Sequence, residues 1–222
     1  MQPELLVSRL GTVDYRAGVA LQDDLRRRVT GGALPDVLLL LEHPPVYTRG
    51  RRSTSAELPR GADWYRQRGI DVVDTDRGGR VTYHGPGQLV GYPIMHIDDV
   101  LVYVRTMERA IIAALADVGV DGRARRGKDL TGVWVQDRKI ASIGVHIARG
   151  VTTHGFAVNV DNELDPFDWV VPCGLPDVRM TSVRAETGRP AGFAAFLERM
   201  AERFCEAYGR TPGTLELDEA AA

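Results

Sequence analysis

Hydrophobic residues recur with a helical period in the first part of the chain. The segment Leu5 to Leu10 is apolar enough for an opening strand, and Asp14 then stands where a helix N-cap is expected. Gly31 and Gly32 follow the last apolar residue of the predicted helix and are expected to end it. Its apolar face comprises Val19, Leu21, Leu25 and Val29.

A continuous apolar run follows, with the sequence DVLLLLEHPP over residues 36–45. Its length and its two closing prolines predict a strand that is buried on both faces. A short helix is predicted within residues 60–69 and a strand at Ile70 to Val73. Residues 87–97 read as a further strand, since they are mostly apolar and follow a glycine-rich turn.

The second half of the chain contains two amphipathic helices and a hairpin. A long helix is predicted from Asp99 to Val118 and the last one from Ala191 to Tyr208, because apolar residues recur there every three or four positions. Two strands are expected to pair around a turn at Gln136 and Asp137, and residues 151–161 continue the sheet. The apolar face of the long helix comprises Val100, Val104, Met107, Ile111 and Leu115.

The order of these elements predicts an α/β (α+β) fold with a mixed β-sheet flanked by helices. With 222 residues the chain is long enough for one well-buried domain. We therefore expect a single domain over residues 1–222, with a core from about residue 5 to residue 208. The tail from residue 211 to residue 222 is expected to be frayed.

Composition restricts the classes of function. Hydrophobic residues make up 44% of the chain and charged residues 26%, and the net charge is −2, which argues against nucleic acid as the partner. The N-terminus lacks the features of a signal peptide, and no apolar run reaches the ~18 residues of a membrane span. We expect a cytoplasmic protein without a membrane partner, in which both cysteines are reduced.

One of the two cysteines is a candidate nucleophile. Cys205 falls within the predicted last helix and is interpreted as a packed hydrophobe. Cys173 stands between Pro172 and Gly174 in a predicted loop, so it is either a nucleophile or a structural loop thiol. Only ~3% of an ordinary thiol is ionised at pH 7, so a nucleophile needs a nearby cation. Lys139, at the start of a predicted strand, is the candidate, although a lysine in that position is often simply solvated.

The histidines predict no metal site, and the glycines predict a close approach of the backbone to a ligand or to another strand, with only weak support for a nucleotide. None of the five histidines is spaced from a cysteine or carboxylate as metal ligands are, so no metal site is predicted. His84 and His154 each precede a glycine, where open backbone often lines a pocket. The stretch RGGRVTYHGPGQLVGYP, residues 77–93, contains five glycines but neither the P-loop ending nor the Rossmann spacing.

Several motifs together resemble a known family. DRGGRVTYHGPGQLVGYP, TGVWV, KIASIGV, THGFAVNV and VPCGL occur in the order typical of octanoyltransferases of lipoate biosynthesis, the lipoate-protein ligase B family. LLLLEHPPVYTRGRR resembles the early strand and loop of that family. The resemblance extends from about Leu38 to Val183, and five ordered motifs are far more specific than one glycine-rich loop.

This resemblance implies a fold, a reaction and a set of site residues. The fold would be the catalytic domain shared with biotin and lipoate ligases. The donor would be octanoyl-acyl carrier protein, and the acceptor a lysine of a lipoyl domain on the 2-oxoacid dehydrogenase E2 subunit or on the glycine cleavage H protein. Cys173 matches the nucleophile of the family and Lys139 its lysine partner. The implied substrate-binding residues are Arg77, Gly78, Gly79, Arg80, Val81, Thr82, Tyr83, His84, Ser142, Ile143, Gly144, Gly155, Phe156 and Ala157.

The implied mechanism is acyl transfer through a thioester on Cys173, with Lys139 moving the protons. It requires no ATP, metal or other cofactor, and it predicts an apolar slot that prefers eight-carbon chains. Two alternatives have other requirements. An ATP-dependent lipoate or biotin ligase would need a nucleotide and no nucleophilic cysteine, whereas a non-catalytic acyl-binding module would tolerate the loss of Cys173.

Overall fold

The computed structural model describes residues 3–127, 129–171 and 178–217. The strands are β1 (Glu4–Thr12), β2 (Asp36–Glu42), β3 (Val46–Arg49), β4 (Asp71–Asp74), β5 (Val81–His84), β6 (Gln88–Ile94), β7 (Arg123–Ala124), β8 (Gly132–Val135), β9 (Arg138–Ala148), β10 (Val151–Asn159), β11 (Arg179–Met180) and β12 (Thr211–Thr214). The helices are α1 (Tyr15–Thr30), α2 (Ala62–Arg66), α3 (Val100–Ala116), α4 (Asp165–Asp168), α5 (Val183–Thr187) and α6 (Phe193–Ala207). Within these residues no helix is long and apolar enough to cross a bilayer.

A large mixed sheet forms the centre of the molecule. Its strands follow the order β12-β1-β2-β6-β10-β9-β8-β7, and β11 pairs separately with β9. β1 is parallel to both of its neighbours. The pairs that follow β2 in this order, from β2-β6 to β8-β7, are all antiparallel. The predicted mixed sheet flanked by helices is therefore confirmed.

Helices cover both faces of this sheet, which explains why the sequence of β2 is apolar almost throughout. Leu38 and Leu40 pack in the core beneath α3 and α6, whereas Leu39 and Leu41 pack in the core beneath α1. Successive side chains of a strand point to opposite faces, so a strand covered on both sides needs apolar residues at every position. The predicted two-sided burial of this run is confirmed.

A second, three-stranded sheet lies beside the first, in the order β4-β3-β5. Its own apolar cluster includes Tyr47, Tyr65, Tyr83 and Phe167. The link between β4 and β5 is the loop of residues 75–80, and Gly78 N–H of this loop donates to Val145 O of β9 at 3.0 Å. The two sheets thus meet at this loop, where the glycine-rich part of the sequence begins.

Most local predictions agree with the structure. Asp14 caps α1 by accepting the N–H groups of Arg16 and Ala17, and β8 and β9 form the predicted hairpin around residues 136–137. The prediction that Val100 belongs to the apolar face of the long helix is wrong, because this side chain is 47% exposed. Val100 opens α3 in the first turn, directly after the Asp99 cap, and the next two residues, Leu101 and Val102, are exposed as well.

The expectation of a frayed tail from residue 211 is wrong for its first part. Residues Thr211–Thr214 form β12, which runs parallel to β1 with Glu4 opposite Thr211. Leu215 and Leu217 then pack against the core beneath α1, and Leu215 N–H donates to Val7 O at 3.1 Å. The sequence TPGT contains no apolar alternation, so nothing local to it predicted a strand; the open edge of β1 provides the partner.

We predict that this edge strand contributes measurably to stability. A chain that ends at Arg210 should unfold with a free energy lower by about 2–4 kcal/mol than a chain that ends at Leu217, because it lacks the β12 backbone hydrogen bonds and two half-buried leucines. Urea denaturation of the two truncated chains measures the difference. Equal midpoints would show that residues 211–217 do not hold the edge of β1.

Candidate active site

A cavity of about 510 Å³, its mouth included, lies where the two sheets meet. β9 and β10 form one side, and β5 with the loop before it forms the other. The first residue of α1 and one residue of β6 complete the wall. The lining residues are Tyr15, Arg77, Gly79, Arg80, Val81, Thr82, His84, Tyr92, Lys139, Ser142, Ile143, Gly144, His154, Gly155, Phe156 and Ala157.

Glycines allow the loop of residues 77–80 to approach the large sheet. A Cβ atom at Gly144 would lie 2.7 Å from Gly78 O, closer than carbon and oxygen can pack. On the other side of the loop, a Cβ atom at Gly50 would lie 2.6 Å from Gly79 O. The loop backbone is therefore held between two glycines, and the width of the cavity depends on both.

Arg77 fixes the same loop from within. Its side chain is almost buried, and its guanidinium donates to Thr48 O at 2.7 Å, to Arg80 O at 2.7 Å and to Gly78 O at 3.0 Å. Five donors in a rigid plane can satisfy several backbone carbonyls at once in a fixed geometry, whereas a lysine has only three donors at a single atom. Arg80 donates to the buried carboxylate of Glu57 at 2.7 Å. Arg77 and Arg80, which flank Gly78 and Gly79 in the sequence, therefore shape the cavity wall.

Lys139 is buried in the wall of the cavity, with only 3% of its surface exposed. The interpretation of Lys139 as a solvated strand end is therefore wrong. Gly132 makes room for its side chain, because a Cβ atom there would lie 2.9 Å from Lys139 Cε, and the φ of +130° also favours glycine. The Lys139 ammonium lies 5.3 Å from the centroid of the Trp134 ring, within the range of a cation–π contact.

His154 interrupts the regular geometry of β10. The register set by Phe156 opposite Gly91 places His154 opposite Pro93, which has no N–H to give to the ladder. His154 has a φ of +56°, and its backbone N–H donates to Gln22 Oε1 of α1 at 2.6 Å instead of to β6. Its ring Nε2 bonds to Asp76 Oδ1 at 2.8 Å. The irregular backbone thus places a histidine ring at the cavity.

Four aromatic rings pack together beside the cavity. The ring of Tyr15 lies edge-on to His43, with 5.1 Å between the ring centroids, and stacks on His84 at a centroid distance of 6.0 Å. The centroids of His43 and Tyr92 are 5.8 Å apart. Their polar atoms are bound within the protein: Tyr15 OH to Thr75, His84 Nδ1 to Gln88, and Tyr92 OH to His43. The ring faces that remain provide the cavity with apolar surface.

The histidines of this group are held neutral. Burial lowers the pKa of His43 to about 4 and places the pKa of His84 well below its usual value. His43 Nδ1 lies 2.6 Å from Val13 O, and a carbonyl can only accept, so Nδ1 carries the proton. His43 Nε2 then accepts the hydroxyl proton of Tyr92 at 2.6 Å.

A carboxylate joins two histidines at the edge of the site. Asp76 Oδ1 bonds to His154 at 2.8 Å, and Asp76 Oδ2 lies 3.4 Å from His146 Nε2. The hydrogen bond from His154 lowers the pKa of Asp76 to about 2, whereas burial lowers the pKa of His154. Across residues 3–127, 129–171 and 178–217 no three such groups are arranged to hold a metal ion.

Of the predicted catalytic and substrate-binding residues, thirteen line the cavity. These are Arg77, Gly79, Arg80, Val81, Thr82, His84, Lys139, Ser142, Ile143, Gly144, Gly155, Phe156 and Ala157. Gly78 lines an adjoining cavity, and the ring of Tyr83 packs between Tyr47 and Phe167 in the small sheet. Cys173 lies outside the described residues. Cys205 is buried in α6, and burial raises its pKa, which confirms it as a packed residue.

Tyr15 and Tyr92 line the cavity but were not predicted as site residues. Tyr15 follows the helix cap Asp14, so its place at the start of α1 could be predicted from the sequence. Its contact with the cavity could not, because that contact depends on residues distant in the chain. Tyr92 lies inside an apolar strand whose other residues are core. His154 was noted for its glycine neighbour, and that signal was correct.

We predict that His43 remains neutral in the folded protein well below pH 6. Its pKa in the unfolded chain is near 6.5 and in the folded chain about 4. Unfolding therefore takes up a proton in this window, and the free energy of unfolding falls as the pH is lowered through it, by up to about 3 kcal/mol from this residue. Long-range ¹H–¹⁵N NMR should show the Nδ1–H tautomer at pH 5.5. Protonation of this ring with a midpoint near 6.5 would contradict the described packing.

Comparison with known proteins places this cavity in a family context. Residues 14–205 match the family described as "Lipoyl protein ligase A/B catalytic domain". A curated relative from Mycolicibacterium paratuberculosis, named octanoyltransferase, is 49% identical over 211 residues, which cover 90% of this chain and 86% of the relative.

Solved structures show the same fold at low sequence identity. A lipoate-protein ligase A bound with ATP superimposes with a TM-score of 0.75 at 18% identity, over 100% of this chain and 92% of that one. The biotin protein ligase from Aquifex aeolicus with biotin and ATP gives a TM-score of 0.56 at 14% identity, over 92% and 70%. The chain belongs to the lipoyl protein ligase A/B catalytic domain family, and its cavity lies within the matched residues.

Proposed function

We propose that the protein is an octanoyltransferase that moves an octanoyl group from octanoyl-acyl carrier protein to a lysine of a lipoyl domain. The acceptor is the lipoyl domain of a 2-oxoacid dehydrogenase E2 subunit or the glycine cleavage H protein, and the reaction takes place in the cytoplasm. The family match and the relative named octanoyltransferase support the reaction class. The apolar surface of the cavity supports an acyl group as the substrate that binds there.

The observation that carries the proposal is a buried lysine at one end of an aromatic cavity. Lys139 is 3% exposed and shares the cavity with Phe156, Ile143 and the Tyr15 ring. Burial of a charged ammonium is unfavourable, so a protein that keeps one beside apolar surface gains something other than stability from it. A thiolate nucleophile next to an acyl slot would make use of such a cation.

Chain connectivity supports Cys173 as that nucleophile. Val171, the last residue described before the gap, donates its N–H to Glu57 O beside the small sheet. The chain is described again from residue 178, and β11 pairs with β9 so that Met180 stands opposite Lys139. Thr181 N–H then donates to Lys139 O at 2.9 Å. The described residues on the two sides of the gap are thus bound to Glu57 and to Lys139.

The proposed reaction has two balanced steps. The Cys173 thiolate attacks the thioester carbonyl, a new C–S bond forms, and the carrier thiolate leaves and takes a proton from the Lys139 ammonium. The neutral amine of the acceptor lysine then attacks the acyl-enzyme, an amide forms, and the Cys173 thiolate is released. The proton lost by the attacking amine passes to the Lys139 amine, so the enzyme returns to its starting state.

Binding of the acyl tail follows from the dry ring faces. Each buried methylene contributes about 0.8 kcal/mol, so an octanoyl tail can contribute up to roughly 6 kcal/mol. The hydroxyl groups of Tyr15 and Tyr92, which could otherwise bind water, are bound to Thr75 and His43. The slot therefore binds the chain through its apolar surface and leaves the thioester to the polar end at Lys139.

The second candidate is an ATP-dependent ligase, since the fold is shared with a lipoate-protein ligase A bound with ATP. The two candidates differ in what they consume. The transferase forms octanoyl-lipoyl domain from octanoyl-acyl carrier protein without ATP, whereas the ligase needs free octanoate or lipoate and ATP. Gel-shift or mass analysis of the acceptor domain with each pair of substrates decides between them.

We predict that Lys139→Met lowers the rate of ATP-independent transfer at least 100-fold, because it keeps the volume of the side chain and removes the proton carrier. Arg138→Met is the matched control. It removes a cation from the neighbouring position on the same strand, where Arg138 pairs with Glu186. The control should transfer at close to the wild-type rate. Equal loss in both variants, or none in Lys139→Met, would remove Lys139 from the mechanism.

A further inference from the structure

A second cavity lies directly behind the first. It has a volume of about 880 Å³, its open mouth included. Its lining residues are Tyr15, Arg16, Val19, Gln22, Asp23, Val73, Asp74, Thr75, Asp76, Thr153 and His154. The first and second cavities have two lining residues in common, Tyr15 and His154. These two side chains therefore form the partition between them.

The opposite end of the first cavity is the reactive end. Lys139, Ile143 and Gly144 also line a third cavity, on the side of Arg52 and Asp129. None of these three residues lines the second cavity. An acyl chain whose carbonyl lies at Lys139 thus extends toward Tyr15 and His154 with its methyl end.

The partition is held in place by hydrogen bonds on its far side. Tyr15 OH donates to Thr75 Oγ1 at 3.3 Å, and the same oxygen lies 3.4 Å from His154 Nε2. Asp76 holds His154 Nε2 at 2.8 Å. Tyr15 is 3% exposed and is the first residue of α1, whose N-cap Asp14 fixes the start of the helix. The two rings therefore have little freedom to swing out of the way.

The space behind the partition does not suit a hydrocarbon. Asp23, Asp74 and Asp76 line it, and Arg16 adds a further charge. A methylene that reached this space would meet charged groups and their water, so it would lose the apolar burial that it gains in the dry slot. Chain length is therefore penalised once the first cavity is full.

We propose that Tyr15 and His154 form the end wall of the acyl slot and set the length of the chain that the protein accepts. This inference rests on the proposed function and adds the residues that determine its specificity. Tyr15 is the more informative of the two, because it lies at the start of a regular helix, whereas His154 is also held by the irregular backbone of β10.

The test compares two substitutions of Tyr15 by their chain-length profiles. Octanoyl, decanoyl, dodecanoyl and tetradecanoyl groups on acyl carrier protein are assayed as donors. Tyr15→Ala should raise the dodecanoyl-to-octanoyl ratio of kcat/KM about tenfold or more, since one methylene in a pocket changes kcat/KM by about tenfold or more. Tyr15→Phe keeps the ring and loses only the bond to Thr75, so it should keep the wild-type ranking of chain lengths. Tyr15→Leu is assayed in parallel, because it opens the wall and leaves a smaller void in the core than alanine.

Binding of the free fatty acids separates this inference from the proposed function. Calorimetric titration of the Cys173→Ala protein with octanoate, decanoate and dodecanoate needs no turnover. Tighter binding of dodecanoate after Tyr15→Ala or Tyr15→Leu is expected. If octanoyl transfer occurs and the length profile is the same in all folded variants, the end wall is wrong and the function stands. If wild-type protein neither transfers nor binds any of these chains, both are wrong.

Discussion

The structure depends on a close contact between two backbones. Gly78 of the loop between β4 and β5 approaches Gly144 of β9 so closely that no side chain fits between them, and the Gly78 N–H bonds to the neighbouring Val145. This contact joins the small sheet to the large one. It also sets the width of the cavity, because Arg77, Gly79 and Arg80 of this loop line it. The glycines are thus required by packing.

The site also concentrates groups that do not favour stability. Lys139 is buried beside Trp134, Arg77 is buried among backbone carbonyls, and the rings of His43, His84 and His154 are kept neutral by burial. Hydrogen bonds to Thr48, Val13, Gln88 and Asp76 reduce the cost of burying Arg77 and the three histidines. Natural proteins accept this kind of cost at functional sites, and the apolar cores beneath α1 and beneath α3 and α6 offset it.

The sequence predicted those features that depend on local pattern. The two-sided burial of β2, the hairpin of β8 and β9 and the cap at Asp14 are all read from neighbouring residues, and each is present. The resemblance to a family pointed to residues that do line the cavity. What could not be predicted depends on contacts between distant parts of the chain. β12 forms because β1 offers an open edge, and Tyr15 reaches the cavity because α1 begins beside His43 and Thr75.

The central claim is that the octanoyl group passes through Cys173, and a covalent intermediate tests it most directly. The intact mass of the protein is measured after it is mixed with octanoyl-acyl carrier protein in the absence of ATP, for wild type, Cys173→Ala and Cys205→Ala. The account predicts a gain of one octanoyl group in the wild type and in Cys205→Ala, lost again when an unmodified lipoyl domain is added, and no gain in Cys173→Ala. An adduct that persists in Cys173→Ala, or no adduct in a wild-type protein that transfers octanoyl groups, would contradict it.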